Sequence, residues 1–195
     1  MRHYLGIDVG TSGCRACVID EQADILAEAA VGLPAPLTRD GISEQDGELW
    51  WQALCQLLDD LSRRTPLAGI AAISLDGTSS TLLCCSEDGT PLAPALMYND
   101  ARSTAEAASI AGIAPATSGA HGASSSLAKL LFLQSHGLTT DATHALHQAD
   151  WLLGRLAGRY GVTDENNALK LGYDPVQRCW PGWLDALDLD RRLLP

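Results

Sequence analysis

Residues 5–15 read Leu-Gly-Ile-Asp-Val-Gly-Thr-Ser-Gly-Cys-Arg, bringing a carboxylate, three glycines, two hydroxyls and a guanidinium together in one short stretch. Asp8 stands near the end of an apolar run, so its carboxylate is expected at the tip of a buried strand. Gly10 and Gly13 can adopt backbone angles that other residues resist, which lets successive N–H groups converge on an anion. Thr11 and Ser12 add hydroxyl donors. Such a turn suits a polyphosphate, and Asp8 suits Mg²⁺, which takes hard oxygen ligands and keeps several waters. Arg15, just beyond the turn, is placed to reach back to a phosphate. The plain alternative is a hairpin turn with a solvated aspartate. The Walker pattern G-x-x-x-x-G-K-[ST] is absent, and G-x-G-x-x-G does not follow the first strand.

A second group lies at Asp76-Gly77-Thr78-Ser79-Ser80, where a carboxylate again ends an apolar strand and hydroxyls follow. In an α/β crevice that placement binds ligands, although Asp followed by Gly also makes an Asx turn. Asp100 and Arg102 precede a helical stretch, where Asp is often only an N-cap. His121, His136, His144 and His147 show no zinc-type spacing. The six cysteines read as buried structural thiols: residues three apart on a strand, such as Cys14 and Cys17, point to opposite faces and make a poor chelate or redox pair. The tryptophans read as packing residues. Lys129 and Lys170, the only lysines, read as solvated side chains.

These groups must be positioned by an α/β chain. Residues 4–9, 14–19 and 25–31 read as three strands of an antiparallel meander, and residues 33–47 as a loop. Leu49, Trp50, Leu54, Leu57, Leu58 and Leu61 recur at helical spacing from Glu48 onward. Residues 70–75 form the next strand, expected to pair in parallel with the first through a crossover. Residues 81–85 and 92–97 read as a hairpin, and residues 101–110, 125–134, 144–156 and 180–187 as helical. With 195 residues there is length for a real core. The 13 Lys+Arg against 24 Asp+Glu give a net charge of −11. That acidity argues against nucleic acid and anionic membrane as partners, since both draw on clustered basic residues. No apolar run spans a bilayer and no signal peptide opens the chain, so a cytoplasmic location is expected.

Asp8-Val9-Gly10-Thr11 between the first two strands of a meander resembles the phosphate loop of the actin/hexokinase/Hsp70-type ATPases. More narrowly it is similar to the amino-terminal domain of the FGGY carbohydrate kinases. Residues 73–81 fall where that family places a sugar-facing strand end and loop. Tyr98-Asn99-Asp100-Ala101-Arg102 resembles the family's W-x-D-x-R, with Tyr98 replacing Trp. Residues 125–133 and 148–158 resemble family helices, so the likeness covers nearly the whole chain in order. Asp76–Ser80 and residues 166–173 look most like the D-ribulokinase branch, related to plant and cyanobacterial xylulose-kinase-like proteins. The Gln-Met-His-Gly of typical xylulokinases and the Arg-Glu of glycerol kinases are missing.

The resemblance implies an actin-like (ribonuclease H-like) α/β fold, with a mixed sheet in β-β-β-α-β order and flanking helices over residues 1–195. It implies ATP and Mg²⁺ as cofactors and a ketopentose as acceptor, D-ribulose before D-xylulose. Asp8 would be the catalytic and metal-holding group. Gly10, Thr11, Ser12, Gly13 and Arg15 would hold phosphate, and Asp76, Gly77, Thr78, Ser79, Asp100 and Arg102 the sugar. The family's general-base Asp and its second, nucleotide-binding domain are expected beyond residue 195, so the chain alone is expected to be inactive. Homodimerisation is left open. A non-catalytic sugar-binding or regulatory role in the same superfamily is the alternative. An actin-like chaperone or cell-shape ATPase fits the 76–80 and 98–102 segments poorly. A serine hydrolase using Ser79 or Ser80 lacks a G-x-S-x-G elbow.

Overall fold

The structure is a computed structural model that describes residues 2–195. In chain order, β1 (His3–Val9), β2 (Gly13–Ile19) and β3 (Ile25–Gly32) come first. Next are β4 (Leu37–Arg39), β5 (Ile42–Gln45), α1 (Gly47–Ser62) and β6 (Ile70–Gly77). The remainder comprises β7 (Leu82–Cys85), β8 (Ala95–Leu96), α2 (Thr104–Ala111), α3 (Ser126–Ser135), β9 (His144–His147), α4 (Gln148–Ala157) and α5 (Glu165–Lys170). The chain divides into two compact units, Met1–Ala35 with Gly47–Thr78 and Pro36–Asp46 with Ser79–Pro195.

The first unit is the expected β-β-β-α-β arrangement, a sheet in the order β3-β2-β1-β6. β1 runs antiparallel to β2 and parallel to β6. Period-two alternation buries Leu5, Ile7 and Val9 on β1, Cys14, Ala16 and Val18 on β2, and Ala27 and Ala29 on β3. α1 packs against β2 and β3. Its apolar stripe of Trp50, Ala53, Leu54, Leu57 and Leu61 is buried, and each large side chain so buried is worth about 1.5–3 kcal/mol. The alanines of β2 and β3 are the small partners that a Trp-bearing helix needs. Cys14 and Cys17 do fall on opposite faces, one fully buried and the other partly exposed. Burial pushes the Cys14 thiol up to about 11.

The second unit carries an antiparallel sheet in the order β4-β5-β8-β7-β9. Two buried clusters support it, one around Leu82, Leu96, Leu130 and Leu133 and one around Ile110, Leu127 and Leu184. Here the structure departs from several expectations. The loop at 33–47 contains the hairpin β4–β5, closed by Asp40 and Gly41, both at positive φ (48° and 82°). That is the Asp-Gly turn whose twist matches paired strands.

The helix expected at 144–156 is two elements. His144–His147 pairs with β7, and the helix starts only at Gln148, where His147 and Asp150 form a capping box. Only Ala95–Leu96 is strand in the stretch 92–97; Pro91 and Pro94 withhold ladder donors. Ser103, not Asp100, stands at the N-cap position of α2, and its hydroxyl makes no capping bond. α5 was not anticipated, and the helix expected at 180–187 is a 3₁₀ turn at Gly182–Ala186. Among the described residues no helix is long and apolar enough to cross a membrane.

Candidate active site

The candidate site of the first unit forms on the sheet face turned away from the Leu5–Ile7–Val9 core. Register puts Asp8 directly opposite Arg15 on β2 and Asp76 on β6. The three side chains therefore share one face, at the end of β1 where the chain enters the Gly10–Gly13 turn. Asp8 and Arg15 are both largely exposed, with Arg15 Nη1 3.9 Å from Asp8 Oδ2. A solvated pair at that distance contributes little stability, so both groups are free to exchange each other for a ligand. Asp76 is exposed as well, and its Oδ1 accepts the amide of Gly77 at 2.9 Å.

A groove of about 740 Å³ opens on this face, lined by Asp8, Arg15, Cys17, Glu28 and Arg64 among others. Its floor is kept low by Gly6, where an added Cβ would have only Cys17 O within reach, at 4.0 Å. That volume is in the range of small-molecule sites. Asp76 is not among the lining residues; it stands beside the groove in register.

The turn itself differs from a nest of converging amides built on left-handed glycines. Neither Gly10 nor Gly13 is at positive φ. The Gly10 amide is engaged, donating to Gly13 O at 3.0 Å. Gly13 is required for a different reason: a Cβ there would lie 2.7 Å from Val31 O on the neighbouring strand. Among the described residues the amides and hydroxyls of Thr11 and Ser12 form no hydrogen bond within the chain, which leaves them as the turn's open donors.

Thr78, half-buried, is the last residue of the first unit, and the remaining predicted residues, Ser79, Asp100 and Arg102, lie in the second. Ser79 is exposed, whereas Asp100 is completely buried. Its Oδ2 accepts the Ser43 amide at 2.7 Å and Arg102 Nη2 at 2.7 Å, and its Oδ1 accepts Arg102 Nε at 3.0 Å. Arg102 also donates to Glu44 Oε1 at 2.6 Å. Both residues thus brace β5 against the 98–102 segment, and Asp100 has no surface open to a ligand.

Lys129, expected as a solvated side chain, is also fully buried. Its Nζ donates to Ser80 O at 2.6 Å and Met97 O at 2.7 Å. Burial pulls its pKa down to about 7, with Asp100 opposing that shift and Arg102 adding to it.

A third cluster went unnoticed in the sequence. Ser126 Oγ lies 2.7 Å from His147 Nε2, and His147 Nδ1 lies 3.1 Å from Asp150 Oδ2. The order of groups is that of a hydrolytic triad. All three are buried, however, at 0%, 0% and 4% exposure, so no substrate reaches the serine. Thr163 Oγ1 and Asn167 Nδ2 complete the shell of Asp150 at 2.8 and 3.3 Å. This is an internal brace at the start of α4.

Residues 3–195 match the FGGY family of carbohydrate kinases, N-terminal domain. The chain belongs to that family. The xylulose kinase of Escherichia coli K12 is 28% identical over 203 residues, 98% of this chain and 41% of that protein. An apulose kinase of Pectobacterium atrosepticum is 32% identical over 99 residues, 50% of this chain. A solved xylulose kinase ("xyloylose kinase") from Brucella ovis superposes with a TM-score of 0.87 at 26% identity, over 100% of this chain and 42% of that one. The FGGY domain described here therefore has the actin-like α/β fold expected from its sequence, and it spans about two fifths of the length of such relatives.

Proposed function

We propose that this FGGY domain is the phosphate- and sugar-facing part of an ATP-dependent kinase that transfers the γ-phosphate of ATP to a hydroxyl of a ketopentose. The observation that carries the reading is the exposed Asp8–Arg15 pair, in register at the mouth of the Gly10–Gly13 turn and on the rim of an open groove. Family membership supports kinase chemistry. Phosphoryl transfer asks the protein mainly for position and electrostatics: phosphates held, an acceptor oxygen in line, and a carboxylate to take its proton.

In this proposal Thr11 and Ser12 donate to the transferring phosphate, Gly10 and Gly13 shape the turn, and Arg15 offsets phosphate charge. Mg²⁺ fits as a partly hydrated ion: Asp8 supplies one exposed carboxylate, and among the described residues no group of three ligands would cage a metal. When bound, the ion neutralises charge between the phosphates. Asp76, Gly77, Thr78 and Ser79 orient the sugar. Asp100 and Arg102 serve it indirectly, as the brace of their own segment. The general base and the main nucleotide contacts come from a second domain of a longer cytoplasmic enzyme, a view supported by the share of the relatives this chain spans.

The likeness of residues 76–80 to ribulokinases favours D-ribulose as acceptor. The relatives named as xylulose kinases favour D-xylulose as the second reading. The test is ADP release by the full-length enzyme with D-ribulose, D-xylulose and glycerol. Either pentulose at rates well above glycerol supports the proposal; no stimulation by any ketopentose overturns it. Asp8→Asn is expected to lower kcat by at least about 100-fold with the fold intact, and near-normal turnover removes Asp8 from the mechanism.

A further inference from the structure

Ser80 has φ of +66°, a left-handed conformation that a residue with a Cβ seldom adopts. Its carbonyl is gripped by Lys129 Nζ at 2.6 Å, and the same amino group holds Met97 O at 2.7 Å. These carbonyls belong to residues 49 and 32 positions away in sequence. Next to them the Tyr98 amide donates to Thr81 Oγ1 at 3.0 Å, and the Asp100 amide donates to Met97 O at 2.9 Å. One buried amino group thus ties the 79–81 segment to the 97–100 segment. Each segment presents an exposed side chain, Ser79 on one and Tyr98 on the other.

Stability gives little reason for a lysine here. Its helix neighbours Leu127, Ala128, Leu130 and Leu131 are all buried, and an apolar side chain of the same length avoids the desolvation of an amine. What an apolar residue does not provide is a clamp on a strained carbonyl. Either protonation state serves, since a neutral amine still has two hydrogens for two carbonyls.

We infer that Lys129 is a positioning residue for the acceptor sugar, holding Ser80 in its left-handed conformation so that Ser79 and Tyr98 are presented together. The inference rests on the ketopentose-kinase reading above. Lys129 touches no substrate and acts only through the backbone it holds.

The variant that tests it is Lys129→Met, which keeps length and shape. In the full-length enzyme the KM for the ketopentose is expected to rise roughly tenfold, with the KM for ATP within about twofold of wild type. Ser80→Gly, which makes the left-handed conformation unstrained, is expected to recover at least about threefold of that loss in the double variant. Equal losses toward ATP and sugar, or no rescue, would mark Lys129 as a general structural residue and overturn the inference.

Amide hydrogen exchange on the 195-residue chain decides the same question without any activity. Lys129→Met is expected to speed exchange about tenfold or more at residues 80–82 and 97–99 while leaving β9 protected. Uniform acceleration through the second unit, or none at all, contradicts it. If wild-type enzyme phosphorylates no ketopentose, the kinase reading fails by itself, and the exchange pattern still decides whether Lys129 clamps the two segments.

Discussion

Removing the carboxylate of Asp150 tests whether the buried Ser126–His147–Asp150 cluster is a brace. Asp150 Oδ2 accepts the His147 backbone amide at 3.2 Å, His147 Nδ1 at 3.1 Å and Thr163 Oγ1 at 2.8 Å, while Oδ1 accepts Asn167 Nδ2 at 3.3 Å. Because a carboxylate only accepts, the proton of a neutral His147 ring sits on Nδ1, and Nε2 accepts from Ser126. Asp150→Ala removes the acceptor of two donors on a fully buried histidine, and one of two acceptors from each of Thr163 and Asn167, which keep Asp164. Hydrogen bonds to a charged group contribute about 1.5–3 kcal/mol each and are not additive. Breaking a buried charged network typically costs about 3–5 kcal/mol, so a loss of about 4 kcal/mol is expected. Asp150→Asn keeps the shape and one carbonyl oxygen. With that oxygen toward the three Oδ2 donors, its NH₂ confronts Asn167 Nδ2, so a loss of about 1–2 kcal/mol is expected. Asn167→Ala should therefore cost less in the Asp150→Asn background than in wild type, a coupling that a double-mutant cycle isolates. Urea unfolding with linear extrapolation measures wild type and the four variants. A loss below about 1 kcal/mol for Asp150→Ala, or an identical cost of Asn167→Ala in both backgrounds, would refute the reasoning.

The two glycines of the phosphate turn should separate cleanly. Gly13→Ala forces a Cβ to within 2.7 Å of a backbone oxygen and is expected to cost about 1–3 kcal/mol, whereas the Cβ of Gly10→Ala meets its nearest atom at 3.6 Å. The latter should leave the melting temperature nearly unchanged; equal destabilisation would show the close approach to β3 to be irrelevant. Stability should also respond to pH through Lys129. Its pKa falls from 10.5 to about 7 on folding, so above pH 7 the unfolded chain binds the extra proton and stability rises with pH, by about 1.5 kcal/mol between pH 7 and 8.5. Cys14, Cys84 and Cys85 act in the opposite sense: burial raises them from 9.0 to about 11, 12 and 12. The unfolded chain ionises them first, so their stabilisation holds below pH 9 and is lost as pH climbs toward the folded values. Denaturation across pH 7–11 should show a rise and then a steeper fall, and Lys129→Met should abolish only the rise. A rise that survives in that variant assigns it to another group.

Local patterning made the first unit legible. The alternation in β1 and β2, the helical stripe of α1 and the apolar run of β6 each state their own partner face, and together they fix the register that lines up Asp76, Asp8 and Arg15. The hairpin β4–β5 was legible too, in Asp40-Gly41, but Pro34, Pro36 and the surrounding polar residues obscured it. The strand β9 was lost for a physical reason: His-Ala-Leu-His carries no period of its own, and only pairing with Leu82–Cys85 makes it extended. The buried polar groups were the least accessible of all. A lysine within the apolar stretch 127–133 reads as an exception pointing to water, because nothing near it in sequence reveals two carbonyls waiting 32 and 49 residues upstream. The same holds for Asp100, whose partner amide at Ser43 is 57 residues away. Carboxylates and amines that face solvent are announced by the alternation around them, so a sequence exposes the groups that meet a ligand. Buried polar groups such as Lys129 and Asp100 are instead closed by contacts far away in sequence, which the local pattern does not announce.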